Sequence, residues 1–232
     1  MSPIIETRNL SYNYPDGTTA LNGVSLRIYE YERVGLIGAN GSGKSTLLML
    51  LSGSFKHERG EILLNGSEIG DIKRLRDASG MVCQEPDDQL FMPSVVEDVA
   101  FGLAARHIGV ETAHSRAVAC LERLGAAHLR DRPPHRMSGG EKRIVALAGI
   151  LVMEPKIIML DEPTSSLDPR ARREVTELLR GLGVTMIIST HDMALAKTIC
   201  GRLILMQAGQ IRLEGKPEDI LGDEVTLRQY GL

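Results

Sequence analysis

Gly38-Ala39-Asn40-Gly41-Ser42-Gly43-Lys44-Ser45-Thr46 leaves this chain few ways to fold. An apolar run, Val34-Gly35-Leu36-Ile37, leads into it, and Leu47-Leu48-Met49-Leu50-Leu51 follows with the look of a helix. The stretch fits G-x-x-x-x-G-K-[ST], and its flanks supply the strand, glycine turn and helix start that this pattern needs. Glycine lets backbone N–H groups come within bonding distance of phosphate oxygens, because no Cβ intervenes. Successive N–H groups then form a nest, and the positive end of the helix dipole adds to its pull. Lys44 brings a cation to the β- and γ-phosphates, and Ser45 a hydroxyl ligand for Mg²⁺. An ordinary glycine-rich turn would match by accident with a probability on the order of 1% at this chain length. A dinucleotide fingerprint, G-x-G-x-x-G, would need glycine where Thr46 stands. The stretch predicts a nucleotide-phosphate site.

A length of 232 residues suits one nucleotide domain carrying an inserted lobe. A chain of that size buries roughly 70–75% of its unfolded surface and needs no staples. The net charge of −3 and a pI of about 6.1 argue against a nucleic-acid partner, for which a strong basic patch is expected. Cys83, Cys120 and Cys200 match neither a disulfide framework nor a metal pattern, and read as reduced cytosolic thiols. No apolar run is long enough to cross a bilayer, and the N-terminus lacks a signal peptide's basic and apolar regions. Work at a membrane would require a partner to hold the chain there.

Residues 4–33 read as short antiparallel strands. Val24, Leu26 and Ile28 alternate with Ser25, Arg27 and Tyr29, and Tyr14-Pro15-Asp16-Gly17 marks a turn. Tyr12 and Tyr14 fit either packing or stacking on a purine. Glu61-Ile62-Leu63-Leu64 predicts a strand that ends in the turn Asn65-Gly66. The segment from Gly80 to Phe91 predicts a strand running into a polar, proline-broken loop. Gln84 stands at the strand's end, where a parallel sheet faces its ligand crevice, though a plain loop amide fits as well. Asp87 and Asp88 read as a solvated pair rather than a metal site.

Residues 94–150 read as a helical lobe, with Val95, Val99 and Leu103, then Ala117, Leu121 and Leu124, at helical spacing. Gly125 marks a stop and Pro133-Pro134 a break. Ile144, Leu147, Ala148 and Leu151 predict a core face for the helix after Met137-Ser138-Gly139-Gly140-Glu141-Lys142-Arg143. Ser138-Gly139-Gly140 predicts a second anion-ready helix start with little side-chain cover, against the plainer reading of a serine cap. Residues 1–93 and 151–215 are then the nucleotide-binding core, and 216–232 a short tail.

Ile157-Ile158-Met159-Leu160 is an apolar run of the kind buried on both faces of a sheet, and it ends in Asp161-Glu162. Near a phosphate site these carboxylates have tasks: Asp161 to hold Mg²⁺ through water, Glu162 to take a proton from attacking water. Ser165-Ser166-Leu167-Asp168-Pro169 leads into an Arg-rich helix. Met186 to Thr190 predicts the last parallel strand, closed by His191-Asp192. His191 alone of the six histidines stands at a strand's C-terminal end, in reach of a γ-phosphate, and the other five read as surface. Arg202–Met206 and Gln210–Glu214 predict a closing hairpin around Gly209.

Taken in order, the phosphate loop, Gln84, Ser138-Gly139-Gly140-Glu141, Asp161-Glu162 and His191 resemble the ATPase subunit of an ABC transporter over nearly the whole chain. The resemblance implies an α/β P-loop NTPase core with a mostly parallel sheet, an N-terminal antiparallel β subdomain and an inserted α-helical subdomain. The stretch Cys83-Gln84-Glu85-Pro86-Asp87-Asp88-Gln89-Leu90-Phe91 and the run from Ile144 to Leu151 resemble the energy-coupling-factor and cobalt/nickel uptake branch. Glu85 stands where Asn is usual there and Glu141 where Gln is commoner, and the tail is shorter than in members with a C-terminal dimerisation domain.

The resemblance implies ATP and Mg²⁺ as cofactors and a head-to-tail homodimer, or a heterodimer with a similar ATPase. Each ATP would lie between one phosphate loop and Ser138, Gly139 and Gly140 of the other copy. Tyr14 would stack on adenine, Thr46 would join Lys44 and Ser45 at the phosphates, and Gln84 would sense Mg²⁺ and the attacking water. Asp168 would bridge the dimer and His191 would order the γ-phosphate. Integral membrane scaffold and substrate-binding subunits are the implied partners at the cytoplasmic face of the membrane, with Glu85, Asp87 and Asp88 as docking residues. The implied work is uptake of a metal ion or vitamin. The rivals are another ABC transporter, such as an exporter, and a soluble ABC ATPase acting on DNA or ribosomes. Repair members of that soluble class carry heptad insertions or zinc cysteines, and its translation factors carry two ATPase domains; this sequence shows neither.

Overall fold

Three short apolar runs become strands because both their faces are covered. They are β3, β7 and β8 in a chain that begins β1 (Ile5–Asn13), β2 (Thr19–Ile28), β3 (Arg33–Ile37), α1 (Lys44–Leu51) and β4 (Arg59–Leu64). Then come β5 (Ser67–Glu68), α2 (Lys73–Ala78), β6 (Ser79–Val82), α3 (Val95–Ala105), α4 (Val110–Arg123) and α5 (Gly139–Leu151). The remainder is β7 (Ile157–Asp161), α6 (Pro169–Gly181), β8 (Thr185–Ser189), α7 (Met193–Ile199), β9 (Arg202–Gln207), β10 (Gln210–Gly215), α8 (Pro217–Leu221) and α9 (Glu224–Gln229). The structure, a computed structural model, describes residues 2–230.

The elements form two compact units. One gathers the described residues up to Met81, Lys156–Glu162 and the described residues from Gly183 on; the other gathers Val82–Pro155 and Pro163–Leu182. Helix α6 thus groups with the helical segment, and the segment read as a short tail carries α8 and α9 in the first unit. The last two residues of that tail lie outside the described residues.

In the first unit a six-stranded sheet runs in the order β10-β9-β3-β8-β7-β6. Strand β3 pairs in parallel with both β8 and β9, and β7 pairs in parallel with β8. Every residue of β7 and β8 is buried, as the apolar runs Ile157 to Leu160 and Met186 to Ile188 within them demand. The last parallel strand is therefore β9 and not β8. Leu203 to Met206 are wholly buried, so this strand needs covered neighbours on both sides and takes β3 as one of them. The hairpin around Gly209 exists as well, with β10 antiparallel to β9.

A second sheet, β2-β1-β4-β5, is antiparallel where β1 meets β2 and β4. Its strand β2 buries Val24, Leu26 and Ile28 and exposes Ser25 and Arg27, the period of two read from sequence. In the second unit Val95, Val99 and Leu103 of α3, Ala117 and Leu121 of α4, and Leu147, Ala148 and Leu151 of α5 are buried. Ile144 departs from the expected core face and is half-buried, lining a cavity instead of filling the core. Cys83, Cys120 and Cys200 form no disulfide among the described residues, and burial pushes the Cys200 thiol up to about 12.

Candidate functional site

The loop between β3 and α1 packs closely against the backbone of β9 and β2. Gly38 adopts φ 147, and a Cβ there would lie 2.2 Å from the Met206 carbonyl oxygen. Only glycine fits so tight a turn. Gly43, with φ 104, is the N-cap of α1. No side chain of the described residues caps this helix, and its first turn carries no acid. Its dipole end is left for an anion from outside.

Lys44 opens α1 and is buried. Its Nζ donates to the Gly38 carbonyl at 2.8 Å and the Ala39 carbonyl at 3.0 Å, so the ammonium lies across the loop it belongs to. Burial pulls it below the ordinary lysine value, while the carboxylates of Glu162 and Asp161 pull the other way. Ala39, Asn40 and Gly41 are exposed, Ser42 and Thr46 are buried, and Ser45 is half-buried. The Tyr14 hydroxyl shares a 2.9 Å hydrogen bond with Thr46 Oγ1. Its ring meets Tyr12 edge-on, centroids 5.4 Å apart, and Phe55 at 6.2 Å. Packing accounts for part of this tyrosine, which is half-buried.

Asp161 and Glu162 sit at the mouth of β7, and both are buried. Asp161 Oδ1 accepts from Ser189 Oγ at the end of β8. Glu162 adopts φ 49, a left-handed backbone that a non-glycine residue keeps only when its surroundings hold it. Its N–H donates to the Ser189 carbonyl at 3.0 Å, and its carboxylate accepts the His191 N–H at 3.3 Å. His191 Nδ1 is 2.8 Å from Glu162 Oε2, while the ring itself is exposed. Ser189 escaped the sequence reading, because one hydroxyl in an apolar strand announces nothing until its partner is known.

Among the described residues no group of three His, Cys, Asp or Glu could hold a metal ion by itself. Mg²⁺ commonly binds through one or two protein oxygens, waters and substrate phosphates rather than in a protein cage. The Ser45 hydroxyl and the Asp161 carboxylate are donors of that kind.

The helical unit holds the remaining candidates. Ser138 is the N-cap of α5, but the open helix start expected there is covered. Its Oγ accepts from Glu141 N–H at 3.3 Å, and Glu141 Oε2 accepts from Ser138 N–H at 2.7 Å, a complete capping box. The correction follows from the spacing Ser-x-x-Glu, which lets the side chain three residues on return to the cap. The Ser138 backbone N–H holds the Glu141 carboxyl below its usual range, with smaller help from the Ser138 hydroxyl and Arg132. A Cβ on Gly140 would lie 2.8 Å from the Ala171 Cβ, so this glycine lets α5 approach α6 closely.

Asp168 caps α6, accepting from Arg170 N–H at 2.8 Å and Ala171 N–H at 3.0 Å. Those bonds, that from Ala171 first, hold its carboxyl low. Ser138, Glu141, Ile144 and Asp168 line one cavity of about 1020 Å³. Gln84 and Glu85 are exposed, two and three residues beyond β6. Asp87, expected to be solvated or to meet a partner, is paired with Lys142 Nζ at 2.5 Å within the chain, and Asp88 is exposed.

A glycine cradle at the C-terminal end of a central parallel strand, opposite carboxylates at the end of β7, is the organisation of a P-loop nucleotide hydrolase. The family model described as ABC transporter matches residues 21–165, and the chain belongs to that family as one of its ATPases. It is 41% identical to an energy-coupling factor transporter ATP-binding protein, EcfA, of Methanocaldococcus jannaschii, over 99% of this chain and 85% of that one. Among solved structures it resembles cbiO1 of Clostridium perfringens, part of the ABC transporter complex cbiONQ. The TM-score is 0.85 and the identity 39%, over 99% of this chain and 94% of that chain. A dimeric ATP-binding cassette in a post-hydrolysis state, bound to ADP and Pi, matches with a TM-score of 0.81 and 28% identity, over 92% of this chain and 98% of that one.

Proposed function

We propose that this chain hydrolyses ATP to energise import of a small substrate, a cobalt or nickel ion or a vitamin, through separate transmembrane subunits. The observation that carries the chemistry is Glu162, a buried carboxylate on strained backbone, held by Ser189 and His191. Glu162 is the general base for water, and His191 orients it and orders the γ-phosphate. Gly38 to Gly43 cradle the phosphates with Lys44, Ser45 and Thr46. Lys44 exchanges its carbonyl partners for phosphate oxygens when nucleotide arrives. Ser45, Asp161 and Gln84 hold Mg²⁺, which neutralises charge on the phosphates when bound. Tyr14 offers its ring to adenine.

Ser138, Gly139, Gly140 and Asp168 serve the nucleotide of a second copy, or of a similar ATPase, in a head-to-tail dimer; the dimeric neighbour supports this arrangement. The names EcfA and cbiONQ support the import branch. Membrane subunits hold the protein at the cytoplasmic face; among its own described residues no helix is long and apolar enough to cross a membrane. Glu85 and Asp88 face those subunits, and Asp87 joins them once its pair with Lys142 opens. The deciding experiment is purification from native membranes, followed by reconstitution in vesicles with ATP inside or out. ATP-driven accumulation of labelled cobalt, nickel or vitamin supports the proposal. A complex that exports, or a chain that brings down no integral partner, overturns it. Asp87→Ala with Asp88→Ala is expected to keep the soluble ATPase rate while losing transport or membrane attachment.

A further inference from the structure

The backbone of the residue that precedes Gln84 is gripped on both sides. The Cys83 N–H donates to Gln89 Oε1 at 2.8 Å, and the Cys83 carbonyl accepts from Arg143 Nη1 at 2.8 Å. Four residues on, Asp87 is held by Lys142. Arg143 is 5% exposed, and burying a guanidinium is costly unless its donors are used. Gln84 itself is exposed between these anchors. Both cations, Lys142 and Arg143, come from the first turns of α5, the helix that Ser138 caps and that Gly139 and Gly140 open.

We propose that Arg143 and Gln89 are positioning residues for Gln84. They fix the Cys83 backbone against α5, so that Gln84 and the Ser138–Gly140 helix start are mounted on one element and reach their nucleotides together. The pair of Lys142 with Asp87 lies outside this clamp and adds nothing to the rate, since the Asp87 side chain is 65% exposed and screened by water. The inference rests on the reading that Gln84 meets Mg²⁺ and the attacking water. A glutamine on an otherwise mobile loop would reach that water only part of the time. Clamping its peptide removes that freedom, and misplacement by about 1 Å costs up to roughly a hundredfold in rate.

The test uses the full chain and compares Gln84→Ala, Arg143→Met, the double variant, Gln89→Leu and Gln89→Glu. Arg143→Met and Gln89→Leu are expected to lower kcat about ten- to a hundredfold, with KM for ATP within about twofold. The double variant is expected to be no slower than Gln84→Ala alone, because both changes remove one function. Gln89→Glu keeps an acceptor for the Cys83 N–H and is expected to recover most of the rate. Hydrogen exchange at the Cys83 amide, read at unchanged thermal midpoint, is expected to speed up in Gln89→Leu and not in Gln89→Glu. Should Gln84→Ala leave kcat unchanged, the reading of Gln84 falls and the clamp falls with it. Should Gln84→Ala be slow but the losses multiply in the double variant, or Gln89→Leu keep full rate and slow exchange, the clamp alone is overturned.

Discussion

Helix α1 begins behind Gly43 with no side-chain cap and no acid in its first turn, whereas α5 begins behind Ser138 inside a complete capping box. Glycines lie just before the first start and just inside the second, and both present backbone N–H groups along a helix dipole. The first is left bare at the cost of stability: Gly43 supplies no bond to the four orphan donors. The second satisfies two of its donors with its own Glu141 and Ser138. An anion therefore finds α1 ready, and finds at α5 a carboxylate already in residence. The difference teaches that the two sites share a shape but not a state of charge. Under the proposed function, phosphate binding at α1 would need only the movement of Lys44, while binding at α5 would have to tolerate or displace a negative side chain.

The sharpest separation of the two regions is chemical. Glu162→Gln, beside the bare helix, is expected to lower steady-state ATP turnover by about 10²–10⁴ while leaving nucleotide bound. Rapid-quench assays with labelled ATP check it, and a variant at half the wild-type rate removes Glu162 from its role. Lys44→Ala comes next. It deletes charge-assisted bonds of about 1.5–3 kcal/mol, so nucleotide affinity is expected to fall roughly 10- to 150-fold and ATP-driven association to be lost. Titration calorimetry and sedimentation measure both; an unaltered Kd would mean that the loop backbone does the binding unaided.

At α5 the effects are smaller and of another kind. Ser138→Ala removes a cap and is expected to destabilise the fold by about 1 kcal/mol in urea unfolding. The matching Gly43→Ala is not a fair counterpart, since φ 104 and the Ala20 carbonyl oxygen at 2.6 Å from a new Cβ forbid it. Glu141→Gln keeps the shape of the capping box but removes its charge. If the resident carboxylate opposes phosphate, this variant is expected to tighten ATP-driven dimerisation about two- to fivefold, the range a charge at a helix end allows. Equal dimerisation constants by sedimentation would show that Glu141 swings clear of the nucleotide.

The smallest effect is the pH dependence of the same group. Glu141 titrates lower in the folded chain than in the unfolded one, chiefly because the Ser138 N–H favours its charged form. Its stabilising contribution is therefore complete above the unfolded value, near 4.5, and is lost as pH falls through the lower folded value. Glu141→Gln is expected to be slightly less stable than wild type at pH 7, with the gap closing in acid. A gap that widens in acid would contradict the capping-box account.

The local sequence determined what each short stretch could be. Glycines at Gly38 and Gly43 dictated a turn no other residue could make, and the apolar runs into Ile37, Leu160 and Ile188 dictated buried parallel strands. The carboxylates at a strand's end, Asp161 and Glu162, were legible because burying two charges there without a task is costly. What only the tertiary structure decided is who meets whom. Ser189 became the partner of Asp161, Arg143 the clamp on Cys83, Lys142 the partner of Asp87, and β9 a parallel neighbour of β3. Each of these joins residues 28 or more positions apart, and hydrogen bonds, ion pairs and strand pairing depend on distance in space. A one-dimensional pattern carries periodicity and spacing, and so fixes turns, strands and helix starts; it holds no record of contacts made across the fold.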